Sequence, residues 1–312
     1  MLLLLLAFIV YFKYAFLLII KRERKMIDYF LIIVALVWII FASVSDLKKR
    51  EVPNWLSFSL IAFAFAYRGF FALYNQDLWF FLSGLIGLIV FIGIGYGFYY
   101  VRVFAGGDAK LLMALGAVLP VSSSLILNLW ISLAFIFLLL VSGSIYGIIW
   151  SSVLAARNRE KFSLEFRKHL KKNKKIINLS FIAAILLLIM FFFAYIYYQE
   201  FASLFIFAMI MVILFPFLFT YAKSIEESCM IVFVETGKLT EGDWLYEKVK
   251  VGRKTIRPYW EGLSQEELKI LRKKKGKVKI KQGIPFVPAF FFAFIALIYL
   301  LCFRPDIFNL FF

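Results

Sequence analysis

Two aspartates stand at the borders of apolar stretches, where ionisable side chains are rare. Asp46 closes one stretch in the string SVSDLKKREVPNW, and Asp108 opens another in the string FAGGDAKLLMALGAVLP. Ionisable groups at membrane depth are costly and usually face a protein interior or a water-filled cavity. Both aspartates are therefore candidate functional residues.

A pair of carboxylates held close together can hydrolyse a peptide bond. The two groups cannot both ionise comfortably, so the pair shares one proton and titrates as a unit. The ionised member can take a proton from water while the neutral member hydrogen-bonds the scissile carbonyl. The chain favours this chemistry because it has one histidine and two distant cysteines, too few for a Ser-His-Asp triad or a four-ligand zinc site.

Each aspartate also has a purely structural explanation. An aspartate before an apolar run is a favoured helix N-cap, which would account for Asp108. Asp46 could be a solvated residue at the end of a span, beside the basic residues 48–50. A joint role is favoured because a Gly-Gly pair precedes one aspartate and a Pro-Asn pair follows the other. Gly106 and Gly107 carry no Cβ, so a substrate could approach closely, and they would let the chain turn sharply before the next helix.

The composition indicates a polytopic membrane protein. Of the 312 residues, 63% are hydrophobic and 20% are aromatic, which is more apolar surface than a soluble domain can cover. The apolar stretches that could each span a membrane are 2–20, 28–45, 54–74, 79–101, 109–120, 124–153, 178–198, 202–221 and 284–302. We predict an all-α polytopic membrane protein with eight to nine transmembrane helices, because 109–120 is short for a full crossing.

The basic residues set the expected orientation. Most of the 36 Lys and Arg fall in 46–53, 101–110, 154–177 and 222–283, and an excess of these residues marks cytoplasmic loops. Both aspartates then lie at the cytoplasmic face of the cell membrane. The same rule accounts for the net charge of +17, so we expect the lipid bilayer and not nucleic acid as its partner.

Four parts of the chain are expected. They are an uncertain N-terminal apolar segment (1–25), a membrane catalytic core (26–221), a small cytoplasmic α+β insert (222–283), and a last transmembrane helix with a tail (284–312). The basic run KRERK of the first part would face outward, so either this segment does not span fully or the natural start is Met26. In the insert, CMIVFVE and KVKIK are typical of strands, and GLSQEELKIL contains a helix capping box.

These motifs resemble those of a known family of proteases. GGDAKLL is similar to the GxGD signature of membrane aspartyl proteases, and LLMALGA after Lys110 is similar to the prepilin peptidase version. SDLKKREVPNW resembles the first aspartate region of that family, and GIPFVPAF at 283–290 resembles a segment before the last span of archaeal members. The chain is thus identified as a prepilin or prearchaellin (preflagellin) peptidase of the archaeal, monofunctional type. It departs from the signature at Ala105, where the family has glycine.

The resemblance implies a function and a set of site residues. The two catalytic aspartates of the family correspond to Asp46 and Asp108. The residues expected to bind substrate or shape the site are Gly106, Gly107, Lys110, Pro288 and Ala289, the last two because other GxGD proteases have a Pro-Ala-Leu motif near the aspartate pair. The implied substrates are pilin-like or archaellin precursors with a short basic leader ending in glycine. No metal or organic cofactor is implied.

Two other functions are compatible with the sequence. A non-enzymatic transporter or assembly subunit could hold the aspartate pair in an ion path, although the sequence shows no duplicated halves of the kind that many transporters have. A presenilin-like or signal-peptide-peptidase-like protease would instead cut within a transmembrane helix. Lys110 could also be a simple positive-inside anchor, and Pro288 could merely delimit the last span.

Overall fold

The structure is a computed structural model that describes residues 29–122, 125–197, 199–252, 254–259, 262–274 and 276–303. These residues form two compact units. The first unit comprises residues 29–148 and 285–303, and the second comprises residues 149–284. The expected N-terminal segment 1–25 lies outside the described residues, and the four expected parts remain predictions.

Helices dominate both units. In chain order they are α1 (Tyr29–Lys49), α2 (Asn54–Asn75), α3 (Leu78–Tyr100), α4 (Gly106–Gly116), α5 (Leu125–Arg157), α6 (Arg159–Lys172), α7 (Lys174–Tyr197), α8 (Gln199–Ile225), α9 (Gln265–Arg272) and α10 (Val287–Phe303). The first unit consists of α1 to α4, the first part of α5, and α10. Its core is built from buried Leu, Ile, Ala and Phe side chains of these helices, so the last helix described packs with the first ones.

The connections after α1, α2 and α3 each contain a residue in the left-handed conformation. Arg50, Gln76 and Arg102 have φ angles of 59°, 54° and 64°. The N–H of Arg50 donates to the carbonyl of Asp46 at 2.8 Å, and this bond closes the last turn of α1. Because the connections are short, consecutive helices lie antiparallel to one another.

The helix α4 is about half as long as its neighbours. Its 11 residues extend about 16 Å at 1.5 Å per residue, against about 30 Å for the hydrocarbon core of a bilayer. Glycines let it lie very close to α3, because a Cβ on Gly87 would overlap the Gly116 carbonyl and a Cβ on Gly116 would overlap Phe91. The expected span at 109–120 is therefore a short helix followed by a turn.

Six helices among the described residues are long and apolar enough to cross a membrane. They are Phe30–Lys49, Asn54–Asn75, Leu78–Tyr100, Leu125–Arg157, Lys174–Tyr197 and Ala202–Met230, and Val287–Leu301 is apolar but shorter. A polytopic, mostly helical protein is thus confirmed. The total of eight to nine transmembrane helices stays a prediction, since the stretch 2–20 lies outside the described residues.

The second unit combines a helical hairpin with a small β region. The hairpin is formed by α7 and α8. In the most apolar part of each helix, only 6% of the residues of α7 and 11% of those of α8 are buried. These faces are apolar and open, as expected for helices surrounded by lipid. The basic stretch 154–177, expected as a polar connection, forms the end of α5, the helix α6 and the start of α7.

The described residues of the β region form five short strands. They are β1 (Ile231–Glu235), β2 (Trp244–Leu245), β3 (Val249–Val251), β4 (Lys254–Ile256) and β5 (Lys277–Lys281). Antiparallel pairing gives one sheet in the order β1-β5-β2 and a separate β3-β4 hairpin. Helix α9 begins with the expected capping box, in which Ser264 and Glu267 bond to each other's backbone N–H. The strands expected in CMIVFVE and KVKIK are confirmed as β1 and β5.

An ion-pair network ties α6 to the π-helical turn Glu226–Met230 that follows α8. The buried His169 Nε2 lies 3.1 Å from Glu227 Oε2 and 4.0 Å from Glu165 Oε2. These three side chains could in principle hold a metal ion, but the ammonium of Lys168 lies 2.8 Å from Glu165 Oε2 and 3.8 Å from Glu227 Oε2. Because the Lys168 ammonium already faces both carboxylates and His169 Nε2 contacts Glu227, we assign the cluster to contacts among these side chains.

Candidate active site

Asp46 lies in the last turn of α1 and is buried, with 6% of its surface exposed. The backbone N–H of Val287, the first residue of α10, donates to Asp46 Oδ2 at 2.9 Å. The backbone of Phe286 and the guanidinium of Arg50 also interact favourably with the carboxylate. Asp46 is thus not a solvated residue at the end of a span. Its carboxylate is oriented by the amide that opens the last helix.

The segment that supplies this amide is itself held by two serine hydroxyls. Ser43 Oγ, one turn before Asp46 on α1, donates to the carbonyl of Val287 at 3.4 Å. Ser142 Oγ on α5 donates to the carbonyl of Ala289 at 3.0 Å. Pro288 lies between these two anchored carbonyls and is buried. The expected site residues Pro288 and Ala289 therefore belong to a segment fixed beside Asp46.

Asp108 lies in the first turn of α4 and is also buried, with 9% of its surface exposed. The N-cap of α4 is Ala105, so the N-cap explanation of Asp108 is wrong. Asp108 is the third helical residue, and its carboxylate bonds back to the backbone of Ala105. The carboxylate of Asp46 acts electrostatically on that of Asp108. The positive end of the α4 dipole favours negative charge at this position.

The two glycines before Asp108 belong to α4 itself. Neither Gly106 nor Gly107 has a positive φ, so the expected sharp turn is not their role. At Gly107 the reason is close approach, because an added Cβ would lie 3.2 Å from Cβ of Val52. Such a distance is shorter than ordinary van der Waals contact. At Gly106 there is more room, since the nearest atom to an added Cβ is 3.7 Å away on Tyr99.

Lys110 connects the two aspartate motifs. Its ammonium donates to Asn54 Oδ1 at 2.8 Å, and Asn54 is the asparagine of the Pro-Asn pair that follows Asp46. Together with the contact between Gly107 and Val52, this bond fixes the chain after Asp46 against the first turn of the helix that carries Asp108. Lys110 is exposed, so it can hold this contact while its ammonium remains in water.

Several residues that surround Asp46 were not singled out from the sequence. They are Ser43, Ser142 and Val287, described above, and Tyr146 on α5, whose hydroxyl lies within electrostatic reach of Asp46. Ser43 had a detectable signal, because a residue three positions before Asp46 shares its helix face. The other three lie far from the aspartates in sequence and carry no local signal.

The fold and the site define a polytopic membrane protein that buries two interacting aspartates within one helical unit. Residues 33–155, which include both aspartates, match the type IV leader peptidase family. This part of the chain, well under half of its length, is thus similar to that family.

Two relatives from archaea carry names that agree with this family. The chain is 33% identical over 88 residues to a preflagellin peptidase of Methanocaldococcus jannaschii, a match covering 28% of this chain and 37% of that protein. It is 33% identical over 104 residues to prepilin peptidase EppA of Methanothermobacter thermautotrophicus, covering 33% of this chain and 27% of that protein. The similarity thus spans about a third of the length of these relatives. No solved structure matches the chain significantly.

Proposed function

We propose that the chain is an aspartic endopeptidase that removes the leader peptide of type IV pilin-like or archaellin precursors. The observation that carries the proposal is that one helical unit buries two aspartates close enough to influence each other electrostatically, with the Asp46 carboxylate oriented by the N–H of Val287. The names of the two archaeal relatives support the substrate class, since one is a preflagellin peptidase and the other a prepilin peptidase.

The reaction needs one neutral and one ionised carboxyl group. Two carboxyl groups that interact in a buried place hold one proton between them. The ionised member removes a proton from a water molecule, which attacks the scissile carbonyl carbon. The neutral member hydrogen-bonds the carbonyl oxygen and stabilises the negative charge that develops there. The proton then passes to the leaving amine, which restores the pair.

The other site residues would position these groups. The amide of Val287 fixes the rotamer of Asp46, and the serine-anchored segment with Pro288 and Ala289 keeps that amide in place. The glycine at 107 and the contact from Lys110 to Asn54 hold the first turn of α4 against the loop after Asp46. Precise placement matters because small displacements of reacting groups cost large factors in rate.

The proposed activity can be tested with purified full-length protein in detergent and a pilin-like precursor. The precursor should carry a short basic leader that ends in glycine, followed by an apolar helix. We expect one cut directly after the leader, identified by mass spectrometry of both products. A cut within the apolar helix would instead favour a presenilin-like activity, and an intact precursor would count against a leader peptidase.

We further propose that the aspartate pair faces the cytoplasm. The basic residues of α6 and of the β region support this orientation, because Lys and Arg accumulate on the cytoplasmic side. In a variant without the native cysteines, an impermeant maleimide applied to intact cells is expected to label Asn75→Cys but neither Lys161→Cys nor Lys248→Cys. All three positions are exposed. Labelling at 161 or 248 from outside would reverse the proposed orientation.

A further inference from the structure

Arg68 is a fully buried charged residue in the middle part of α2. Its exposed fraction is 0%, although it lies in one of the helices that can cross a membrane. At 1.5 Å per residue it is about 21 Å from the start of the helix at Asn54 and about 10 Å from its end at Asn75. A cation at such a depth is costly and is retained where it has a function and partners.

The partners of Arg68 within the described part of the chain include four backbone carbonyls. Its Nε donates to the carbonyl of Ala117 at 2.8 Å, and its Nη2 donates to the carbonyls of Val118, at 3.2 Å, and of Pro120. Its Nη1 donates to the carbonyl of Phe80 at 2.7 Å. The guanidinium also lies over the Phe80 ring, 4.6 Å from the centroid. A planar group with five N–H donors suits such a divergent set of acceptors.

The structure also provides the space for this side chain. A Cβ on Gly84 of α3 would overlap Cδ and Nε of Arg68. Any larger residue at 84 would therefore displace the guanidinium from its carbonyl partners.

The longest of these Arg68 hydrogen bonds runs from Nη1 to Ser83 Oγ, at 3.5 Å.

Three of the four carbonyls lie just after the end of α4 at Gly116. They belong to the turn that follows the helix, and an unsatisfied carbonyl in such a turn is expensive where water is absent. Because α4 ends after 11 residues, it is too short for its two ends to reach both faces of a bilayer. Arg68 satisfies these carbonyls from a neighbouring helix, and its positive charge matches the negative end of the α4 dipole.

We propose that Arg68 is a positioning residue for the aspartate pair. Arg68 binds the turn at the C-terminal end of α4. These bonds prevent the short helix from shifting along its own axis. Asp108 lies in the first turn at the opposite end of the same rigid helix, about 13 Å from Ala117 along the helix axis. A shift of α4 at Arg68 therefore becomes a shift of the Asp108 carboxylate. The effect on catalysis rests on the proposed peptidase function, whereas the effect on α4 does not.

The position of α4 can be measured without any enzyme activity. Val52→Cys and Gly107→Cys place two thiols where an added Cβ at 107 lies 3.2 Å from Cβ of Val52. A shift of a few tenths of an ångström brings this pair to the usual disulfide spacing. In a chain whose native cysteines are replaced by serine, we expect this pair to form a disulfide under mild oxidation.

Arg68→Met in this background is expected to slow disulfide formation by about tenfold, since the bond tolerates little deviation in geometry. Arg68→Lys should give an intermediate rate, because lysine keeps the charge and some donors. Ser83→Ala removes the longest of the Arg68 bonds and the bond from Ser83 Oγ to the Phe80 carbonyl, but it leaves the bonds from Arg68 to residues 117, 118 and 120, so the rate should be unchanged. Equal rates with and without the Arg68→Met substitution would overturn the proposal, as would a cysteine pair that never cross-links when Arg68 is present.

Activity on the precursor gives a second, separate readout. With the native residues at 52 and 107, Arg68→Met should lower kcat by about tenfold or more with KM little changed, because Arg68 does not touch substrate. Arg68→Lys should recover part of kcat at the same amount of inserted protein. If the wild-type protein cleaves no precursor, the proposed function fails and the disulfide rates still decide the role of Arg68. A change in KM alone would contradict a positioning role.

Discussion

Asp46→Asn and Asp108→Asn are each expected to abolish leader cleavage while the protein remains inserted in the membrane. An amide can neither take a proton from water nor share one with its partner, so the general acid–base step is lost. The expected fall in kcat/KM is about a thousandfold or more. Glutamate at either position should also fail, by about a hundredfold, because the extra methylene displaces the carboxylate. The measurement is a time course of precursor cleavage at equal amounts of protein.

Asp77→Asn is the matched control for both changes. Asp77 is an aspartate of the same unit that caps α3, accepting the N–H groups of Trp79 and Phe80 at 3.1 and 3.3 Å. Asparagine is an equally good N-cap, so this variant should cleave at the wild-type rate. Near-normal cleavage by Asp46→Asn or Asp108→Asn would remove that residue from the mechanism.

Val287→Pro is expected to lower kcat by about ten- to a hundredfold with little change in KM. Proline removes the N–H that donates to Asp46 Oδ2, and Asp46 can then leave its productive rotamer. The backbone should tolerate the change, because Val287 is the first residue of α10 and proline is favoured at that helical position. Cleavage rates at several precursor concentrations separate kcat from KM.

Val287→Ala distinguishes the role of the amide from that of the side chain. It removes buried methyl groups but keeps the N–H, so the activity per inserted molecule should stay close to that of the wild type. Equal losses in the proline and alanine variants would mean that packing around residue 287, and not the amide, supports the site. In that case, orientation of Asp46 by the last helix would be contradicted.

Local patterns were sufficient to predict many of the elements. The alternation in KVKIK and the Ser264–Glu267 capping box each lie within a few residues, and both elements form as expected. The long apolar stretches predicted the membrane helices for the same reason, since hydropathy is a property of the stretch itself. The two aspartates were found because a carboxylate beside an apolar stretch is conspicuous.

Contacts between distant segments could not be predicted from such patterns. The donor to Asp46 is a backbone amide, which every residue except proline has, so no side chain marks Val287 as special. The carbonyls that follow α4 are satisfied by Arg68, which lies about 50 residues earlier in the chain. The sequence shows Arg68 as a lone arginine in the apolar string AYRGFF. Its carbonyl partners at 117, 118 and 120 become apparent only in the folded chain.

The bond between Val287 and Asp46 has a consequence for the synthesis of the protein. Its two ends are 241 residues apart, so at about 5 to 20 residues per second the ribosome needs roughly 10 to 50 s to pass from one to the other. For most of this interval the nascent chain already contains both aspartates, but not the amide that orients the first. The order of translation thus makes the arrival of α10 the step that completes the aspartate site.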